Sequence, residues 1–190
     1  MTIRNVYLDC EFLPADMTTD GLVSIGLTDD QGVDYYAVNR DMDLLAVESV
    51  PWMVEHVLPY IPAKNNSTVE SMPDFELEWY HLDVKPIDRI RDDIAAYFAD
   101  TDATETHLYA YYGAQDICRL HSLWGNNWGQ MPDEIPRWFI DLKALAVQAG
   151  NPQLPDQADT EHHALADARH NRAMHQFLLS LAKEHAGGGR

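Results

Sequence analysis

An apolar strand that ends in two acidic residues constrains the fold of this chain most. The run Val6-Tyr7-Leu8 continues into Asp9-Cys10-Glu11, a pattern typical of a buried strand. Alternate residues of a strand share one face, so the carboxylates of Asp9 and Glu11 are expected on the same face, roughly 6.6 Å apart along the strand. The two side chains can therefore share one pair of metal ions. Taken alone, so short a motif is also typical of an ordinary solvated strand end.

A second predicted strand leads to another acidic residue, Asp116. The tyrosine-rich run from His107 to Tyr112 ends at Gly113 and is followed by apolar residues with helical spacing between Ile117 and Trp124. Asp116 is therefore expected in the first turn of a helix, where a carboxylate is favoured by the helix dipole. Its position is equally consistent with a metal ligand and with a residue that only stabilises the helix.

The last predicted helix has a histidine and an acid near its start. Its apolar residues recur with helical spacing between Leu165 and Leu181, with His162 at or before the first turn and Asp167 inside the helix. A histidine in this place is suited to act as a general base, because its ordinary pKa of about 6.5 lets it accept a proton at neutral pH.

Four acids and a histidine in this order predict a nuclease. Cleavage of a phosphodiester requires deprotonation of the attacking water and neutralisation of charge on the attacking and leaving oxygens, and two Mg²⁺ ions about 3.5 to 4 Å apart can do both. Mg²⁺ and Mn²⁺ prefer oxygen ligands, whereas zinc prefers cysteine and histidine. The residue types therefore favour a two-metal phosphodiesterase site.

The motif order resembles that of the DEDDh exonucleases: DxE, a lone Asp about a hundred residues later, and His-x4-Asp at the start of a C-terminal helix. The chain is similar in this respect to RNase T, oligoribonuclease and the proofreading exonucleases. More narrowly, it resembles the small actinobacterial 3′-to-5′ exoribonucleases in the segments DCEF, LVSIGL, DYYAV, HVLPYIP, YGAQD, LWG with IPRWFIDL, and HHALADAR. The resemblance extends from Tyr7 to about Leu179, with weak support between Ala63 and His81.

The resemblance implies a set of ligands for two Mg²⁺ (or Mn²⁺) ions and one general base. The implied metal ligands are Asp9, Glu11, Asp116 and Asp167, and the implied base is His162. The family spacing of five residues to the final acid selects His162, whereas the alternative, His163, lies four residues from Asp167.

Aromatic residues near the motifs are candidates for stacking on the bases of a substrate. Phe12 is the strongest of them, because it follows the acid pair where many family members have threonine. Core packing is the simpler interpretation of the others, which are Tyr112, Trp124, Trp128 and Trp138. Asp141 could add a further acid near the site, but capping of the helix expected from Leu142 explains it more simply.

The order of elements predicts an α/β fold with a mixed five-stranded sheet flanked by helices, and the family resemblance implies that it is RNase H-like. Strands are expected at the N-terminus, at 22–27 and 33–38 as a hairpin, at 107–112 and near 138–140, with helices after Pro51, Pro86, Asp116, Asp141 and His162. Pro59, Pro62 and Asn65-Asn66-Ser67 mark a loop. We expect a single domain over residues 1–183 and a flexible glycine-rich tail over 184–190.

The composition is typical of one globular domain, with 190 residues of which 46% are hydrophobic. No apolar run approaches the ~20 residues of a membrane span, and the N-terminus enters the first strand without a signal peptide. We therefore expect a cytoplasmic protein with no membrane partner. The two cysteines, Cys10 and Cys118, do not suggest a disulfide framework.

The net charge of −18 argues against a protein that coats long nucleic acids, since such binding requires a basic surface. Attraction for phosphate must then be local, which favours a short substrate end. The basic candidates near the motifs are Arg119, Arg137, Lys143, Arg169 and Arg172, although each is more simply a solvated charge.

The sequence thus predicts a 3′-to-5′ exoribonuclease that releases nucleoside 5′-monophosphates from the 3′ ends of single-stranded RNA. The preference for RNA comes from the family resemblance alone, and the resemblance to RNase T and oligoribonuclease also implies a homodimer. The alternatives are a 3′-to-5′ DNA exonuclease and a noncatalytic RNA-binding protein with the same fold.

Overall fold

The computed structural model describes residues 1–64, 75–157 and 160–187. The loop predicted at Asn65-Asn66-Ser67 lies outside these residues. The strands are β1 (Ile3–Phe12), β2 (Leu22–Asp29), β3 (Asp34–Asn39), β4 (Val84–Lys85), β5 (Glu105–Ala110) and β6 (Ile140–Asp141). The α-helices are α1 (Leu44–Glu48), α2 (Pro51–His56), α3 (Ile87–Ala99), α4 (Ala114–Ser122), α5 (Leu142–Gln148) and α6 (Ala164–Gly187).

One mixed sheet organises the described part of the chain, with its strands in the order β4-β3-β2-β1-β5-β6. The first three strands form an antiparallel meander, and β5 pairs with β1 in parallel. This arrangement confirms the predicted α/β class and the predicted hairpin, which β2 and β3 form. Helices can therefore cover both faces of β1, whose middle residues Val6, Tyr7 and Leu8 are almost fully buried.

The sheet has six strands within the described residues, so the predicted number of five is wrong. The additional strand is β4, in which Val84 and Lys85 pair in parallel with Val38 and Asn39. A strand of two residues is too short to produce a recognisable alternation of side chains. β4 is recognisable as a strand only through its pairing with the edge of β3.

Helix α6 packs across β1 and β2 and thereby fixes one side of the site. Ala164 and Ala168 are buried at its start. The amide of Asn171 donates a 2.9 Å hydrogen bond to the carbonyl of Leu8. Gly26 of β2 allows the close approach, because a Cβ atom at this position would lie 2.4 Å from the backbone of Ala164.

The core on the other face is formed by α3 and α4. Of the apolar residues that recur with helical spacing in α3, Ile90, Ile94, Tyr97 and Phe98 are buried and Ile87 is partly buried. They pack with Leu8, Leu27 and Leu108 of the sheet. Burial of each such side chain stabilises the fold by about 1.5 to 3 kcal/mol.

The C-terminal helix is longer than expected. A tail was predicted from residue 184, but α6 continues to Gly187. Residues 188–190 lie outside the described residues. Both cysteines are free, as predicted. No helix in the described part of the chain is long and apolar enough to cross a membrane.

Candidate active site

A cavity of about 860 Å³ lies where β1 ends, α4 begins and α6 begins. The five residues predicted to form the site all line it: Asp9 and Glu11 from β1, Asp116 from the first turn of α4, His162 just before α6, and Asp167 from its first turn. Three separate parts of the sequence therefore converge on one cavity.

Short contacts hold the acids in place. One ligand atom from each of Glu11, His162 and Asp167 lies within 4.8 Å of the others. Oδ1 of Asp116 accepts a 2.9 Å hydrogen bond from the backbone amide of Cys10, between the two acids of β1. This bond fixes α4 against the end of the strand.

Asp167 is held from two directions. Its Oδ2 accepts a 2.9 Å hydrogen bond from the backbone amide of His162, and its Oδ1 accepts one from the side-chain amide of Gln157. Gln157 also lines the cavity. Sequence analysis did not identify it, because a lone glutamine in a coil has no distinguishing pattern.

The carboxylates stand close together with little solvent, which favours their protonated forms. Burial, followed by the charges of Asp116, Glu11 and Asp167, raises the pKa of Asp9 well above its ordinary value. Burial and the neighbouring acids raise the pKa of Glu11 to about 8. Burial likewise raises the pKa of Asp116 to about 7, against the opposing effect of the hydrogen bond from Cys10.

This donor set fits divalent cations. The clustered carboxylates keep raised pKa values although the charge of Arg119 opposes the rise at Asp116, and they are oxygen ligands of the kind that Mg²⁺ and Mn²⁺ prefer. Among the described residues, the cavity lining contains no lysine and no arginine. Asp9, Glu11, Asp116 and Asp167 could hold such ions.

The two adjacent histidines have different surroundings. The ring of His162 faces the cavity and packs edge-on against Trp52 of α2, with 4.8 Å between ring centroids. The ring of His163 stacks on Tyr36 at 4.4 Å, and burial lowers its pKa. His162 has a φ of 69°, in the left-handed region, just before the chain enters α6.

Helix α2 contributes residues that sequence analysis did not assign to the site. Trp52 lines the cavity although 47% of its surface is exposed, and His56 lies 5.6 Å from the ring of His162. The two residues are one helical turn apart, so they share a face of α2. The four-residue spacing of Trp52 and His56 is visible in the sequence. No sequence pattern indicates, however, that α2 lies beside the start of α6.

Phe12 lines the cavity beside Glu11, as its place in the sequence suggested. Of the other aromatic candidates, Tyr112 also lines it, whereas Trp124 packs on the core. Trp128 and Trp138 are about half exposed and belong to other parts of the surface. Asp141 is a helix cap, as expected, since its Oδ1 accepts hydrogen bonds from the amides of Lys143 and Ala144.

The basic candidates have partners away from the cavity. Arg137 pairs with Asp133, Arg169 pairs with Asp34, and Lys143 contacts Asn151. Arg172 donates a 2.9 Å hydrogen bond to the backbone carbonyl of Asp29, at the end of β2. Arg119 differs from the other four, because its side chain is completely buried beside the site. The simpler interpretation of Arg119 as a solvated charge is therefore wrong.

Comparison with solved structures defines the fold first. The fold matches exonuclease I with a TM-score of 0.55 at 12% identity, covering 93% of this chain. It matches a zinc-bound complex of the E. coli enzyme with single-stranded DNA with a TM-score of 0.56 at 10% identity, covering 95% of this chain. In both cases the chain spans about 41% of exonuclease I. The chain therefore has the RNase H-like fold that exonuclease I has.

Comparison of sequences then defines the family. The chain is 31% identical to the 3′-5′ exoribonucleases of two Mycobacterium tuberculosis strains over 183 residues, which are 96% of this chain and 96% of each relative. No known family model matches the chain. The chain belongs to this family of 3′-5′ exoribonucleases.

Proposed function

We propose that this enzyme hydrolyses the 3′ ends of single-stranded RNA to nucleoside 5′-monophosphates, with two Mg²⁺ or Mn²⁺ ions in the acidic cavity. The observation that supports this most is the convergence of four carboxylates and a histidine on a cavity with no lysine or arginine in its described lining. A phosphodiester cannot approach such a surface unless cations offset the acids.

Asp9, Glu11, Asp116 and Asp167 would hold these ions. When bound, the ions supply charge neutralisation for the scissile phosphate and increase the acidity of water. The raised pKa values of Asp9 and Glu11 mean that proton release accompanies binding of a cation at neutral pH.

His162 is the proposed general base. It takes a proton from the attacking water, whose oxygen forms the new bond to phosphorus while the bond to the 3′ oxygen of the preceding nucleotide breaks. The leaving oxygen receives a proton from solvent. Trp52 packs against the imidazole and limits its rotation, which favours one orientation of the ring toward the water.

RNA is the proposed substrate because the relatives that match over nearly the full chain are named exoribonucleases. A DNA exonuclease is the second candidate, supported by the structural match to exonuclease I with single-stranded DNA. A noncatalytic RNA-binding protein is a weaker alternative, since it has no need for a complete set of four acids and a histidine.

A cleavage assay tests the proposal. Single-stranded RNA and DNA of equal sequence, both labelled at the 5′ end, are incubated with the protein in Mg²⁺, Mn²⁺ or EDTA. We expect a metal-dependent ladder that shortens from the 3′ end of the RNA faster than from that of the DNA. Faster loss of DNA would contradict the assignment of RNA, and binding without cleavage would favour the noncatalytic alternative.

Matched variants locate the chemistry. Asp9→Asn keeps the shape of the side chain and removes a charge from the cavity, so cleavage should fall at least about 100-fold. Asp133→Asn makes the same change at an acid whose side chain is 98% exposed, and it should leave cleavage unchanged. Equal activity of both variants would remove Asp9 from the mechanism.

The metal count, the oligomeric state and the location of the protein remain predictions. Calorimetric titration with Mn²⁺ should give two ions per chain, and one ion or none would contradict the two-metal site. Light scattering should show a homodimer, and a monomer at all concentrations would contradict that prediction. A cytoplasmic location is consistent with the expected RNA substrate and is testable by fractionation.

A further inference from the structure

Arg119 is unusual because it is a charged side chain with no exposed surface. Its relative exposure is 0%, and it is the largest fully buried side chain among the described residues. Among the residues that the structure describes, none is a hydrogen-bond partner of its Nε. Burial of an arginine with an unsatisfied donor costs free energy, so a compensating role is expected.

The contacts of Arg119 all lie at the end of β1 or on its own helix. Its guanidinium lies 4.3 Å from the centroid of the Phe12 ring. One terminal nitrogen donates a 2.9 Å hydrogen bond to the carbonyl of Leu13, and the other donates to Gln115 and contacts the sulfur of Met17. Arg119 therefore connects α4 to the segment that follows the acid pair.

The strand is irregular at the same place. Glu11 pairs with Ser24 but Phe12 pairs with Leu22, so the pairing passes over Val23. Consecutive residues of a regular strand face opposite sides, and a bulge is one way in which a strand redirects a side chain. Here both Glu11 and Phe12 line the cavity.

The ring of Phe12 thus has a buried side and a cavity side. Arg119 covers the ring and is itself inaccessible to any substrate, because it has no exposed surface. A cation over an aromatic face attracts the ring by about 0.5 to 2 kcal/mol, more where water is excluded. Arg119 therefore holds the Phe12 ring in one orientation and leaves the part of the ring that lines the cavity accessible.

We propose that Arg119 is a positioning residue for substrate: it fixes the Phe12 ring as a stacking surface for the base of the terminal nucleotide. This inference rests on the proposed function for the nature of the ligand. Stacking of a base on an aromatic side chain contributes about 1 to 3 kcal/mol, and a ring already held in place retains more of that free energy than a mobile one. Arg119 then contributes to affinity without touching the substrate.

The experiment compares one ligand with a base and one without. Adenosine 5′-monophosphate, the kind of product that the proposed reaction releases, and ribose 5-phosphate are titrated calorimetrically into the protein in Mn²⁺. The variants are Arg119→Met, which keeps an unbranched apolar stem, Phe12→Leu, which keeps apolar volume without a ring, and the double variant. Arg119→Met should fold, because the groups that accept its hydrogen bonds, the Leu13 carbonyl and the Gln115 side chain, are uncharged, so the substitution leaves neither of them as an unpaired buried charge.

Arg4→Met is the matched control. Arg4 is also buried, lies 4.5 Å from the ring of Tyr97, and stands at the opposite end of β1. Its removal breaks the buried ion pair of Arg4 with Asp29, so this variant should lose at least as much stability as Arg119→Met. A purely structural effect would therefore appear in both variants.

We expect Arg119→Met and Phe12→Leu each to weaken binding of adenosine 5′-monophosphate about tenfold and to leave ribose 5-phosphate unchanged. The double variant should be no weaker than Phe12→Leu alone. Arg4→Met should bind both ligands like the wild type. On RNA, Arg119→Met should raise KM about tenfold and change kcat less than about threefold.

Three results would overturn the inference: unchanged binding in Arg119→Met, equal weakening of both ligands, or additive effects of the two substitutions. Equal weakening would place the role of Arg119 at the phosphate or metal end of the cavity. The wild-type cleavage assay separates this inference from the proposed function. A protein that binds the nucleotide through Arg119 and Phe12 but does not cleave RNA would contradict the function and support the inference.

Discussion

The backbone amide of His162 donates a 2.9 Å hydrogen bond to Oδ2 of Asp167, five residues further along the chain. This bond closes the turn in which His162 takes its φ of 69°, a conformation that is uncommon for a residue other than glycine. A carboxylate of the site thereby stabilises the backbone that orients the proposed base. The position of the base and that of the acid are coupled through a single contact.

Replacement of His162, the proposed base, should therefore lower kcat strongly, whereas replacement of its neighbour His163 should change kcat little. His162→Ala should lower kcat on RNA by about 100-fold or more, the usual contribution of general base catalysis. His163→Ala removes a ring that stacks on Tyr36 outside the cavity lining, and it should change kcat less than about threefold. Steady-state rates of both purified variants measure this, and the reverse order of effects would assign the base to His163.

The stability of the metal-free protein should fall as pH rises. Glu11 has a folded-state pKa raised from 4.5 to about 8, and that of Asp116 is raised from 3.8 to about 7, in both cases mainly by burial. A raised pKa contributes stability that is complete below the ordinary pKa of the acid and is lost as pH rises through the folded-state value. Between pH 6.5 and 8 in EDTA, Tm should decrease by on the order of 5 °C.

Variants and metal identify the source of that change. Glu11→Gln should flatten the dependence of Tm on pH, whereas Asp133→Asn at an exposed acid should keep the wild-type slope. Mn²⁺ should raise Tm most at pH 8, because the carboxylates are then ionised. A wild-type Tm that is constant or increasing over this range would show that the acids are not destabilising. Differential scanning calorimetry gives all of these values.

Gly26 should be essential for the packing of α6. A Cβ atom there would lie 2.4 Å from the carbonyl carbon of Ala164, and the conflict is with backbone that cannot move aside cheaply. Gly26→Ala should reduce the free energy of unfolding by at least about 2 kcal/mol and lower activity, because His162 lies two residues before the start of this helix.

The control for this substitution is Gly129→Ala. Its Cβ would meet only the side-chain oxygen of Asn127, at 3.3 Å, so stability should change by less than about 1 kcal/mol. Urea denaturation of both variants measures the difference. Similar stability of Gly26→Ala and the wild type would mean that α6 does not lie as close to β2 as described.

Binding of RNA should depend only weakly on salt. The described cavity lining contains no lysine or arginine, so few counterions are released from the phosphates by side chains of the protein. A protein with six to ten phosphate contacts loses about 10³ to 10⁵ in affinity between 50 and 200 mM salt. We expect KM for a short RNA to change less than about tenfold over the same range at constant Mg²⁺.

A steep salt dependence would contradict this expectation. It would show that basic residues outside the cavity, such as Arg137 or Arg169, contact the substrate beyond its terminal nucleotide. Arg137→Met and Arg169→Met would then reduce the slope, and their side chains now pair with Asp133 and Asp34. KM measured at four KCl concentrations distinguishes the two cases.

Much of the fold was predictable from local patterns. The alternation around Asp9 and Glu11 indicated β1, the turn before Val33 indicated the hairpin, and helical spacing indicated α3 and α6. These signals are local because side-chain periodicity follows directly from backbone geometry. The edge strand β4 was not predictable, since two residues have no period.

The acids and the histidine of the candidate site were predictable from the sequence, but the other residues that surround them were not. Residue type and order identified Asp9, Glu11, Asp116, His162 and Asp167, all of which line the cavity. Sequence analysis did not identify Trp52, His56 or Gln157 as neighbours of these residues. Their proximity depends on contacts between elements that are distant along the chain.

The sequence by itself determined which chemical groups the protein carries and in what order, because residue identity and local periodicity need no tertiary contact. Only the tertiary structure decided which of two adjacent histidines faces the acids, and that Arg119 lies buried behind Phe12 rather than in solvent. The physical reason is that burial and the direction of a side chain depend on packing between β1, α4 and α6. No single segment of the chain contains that information.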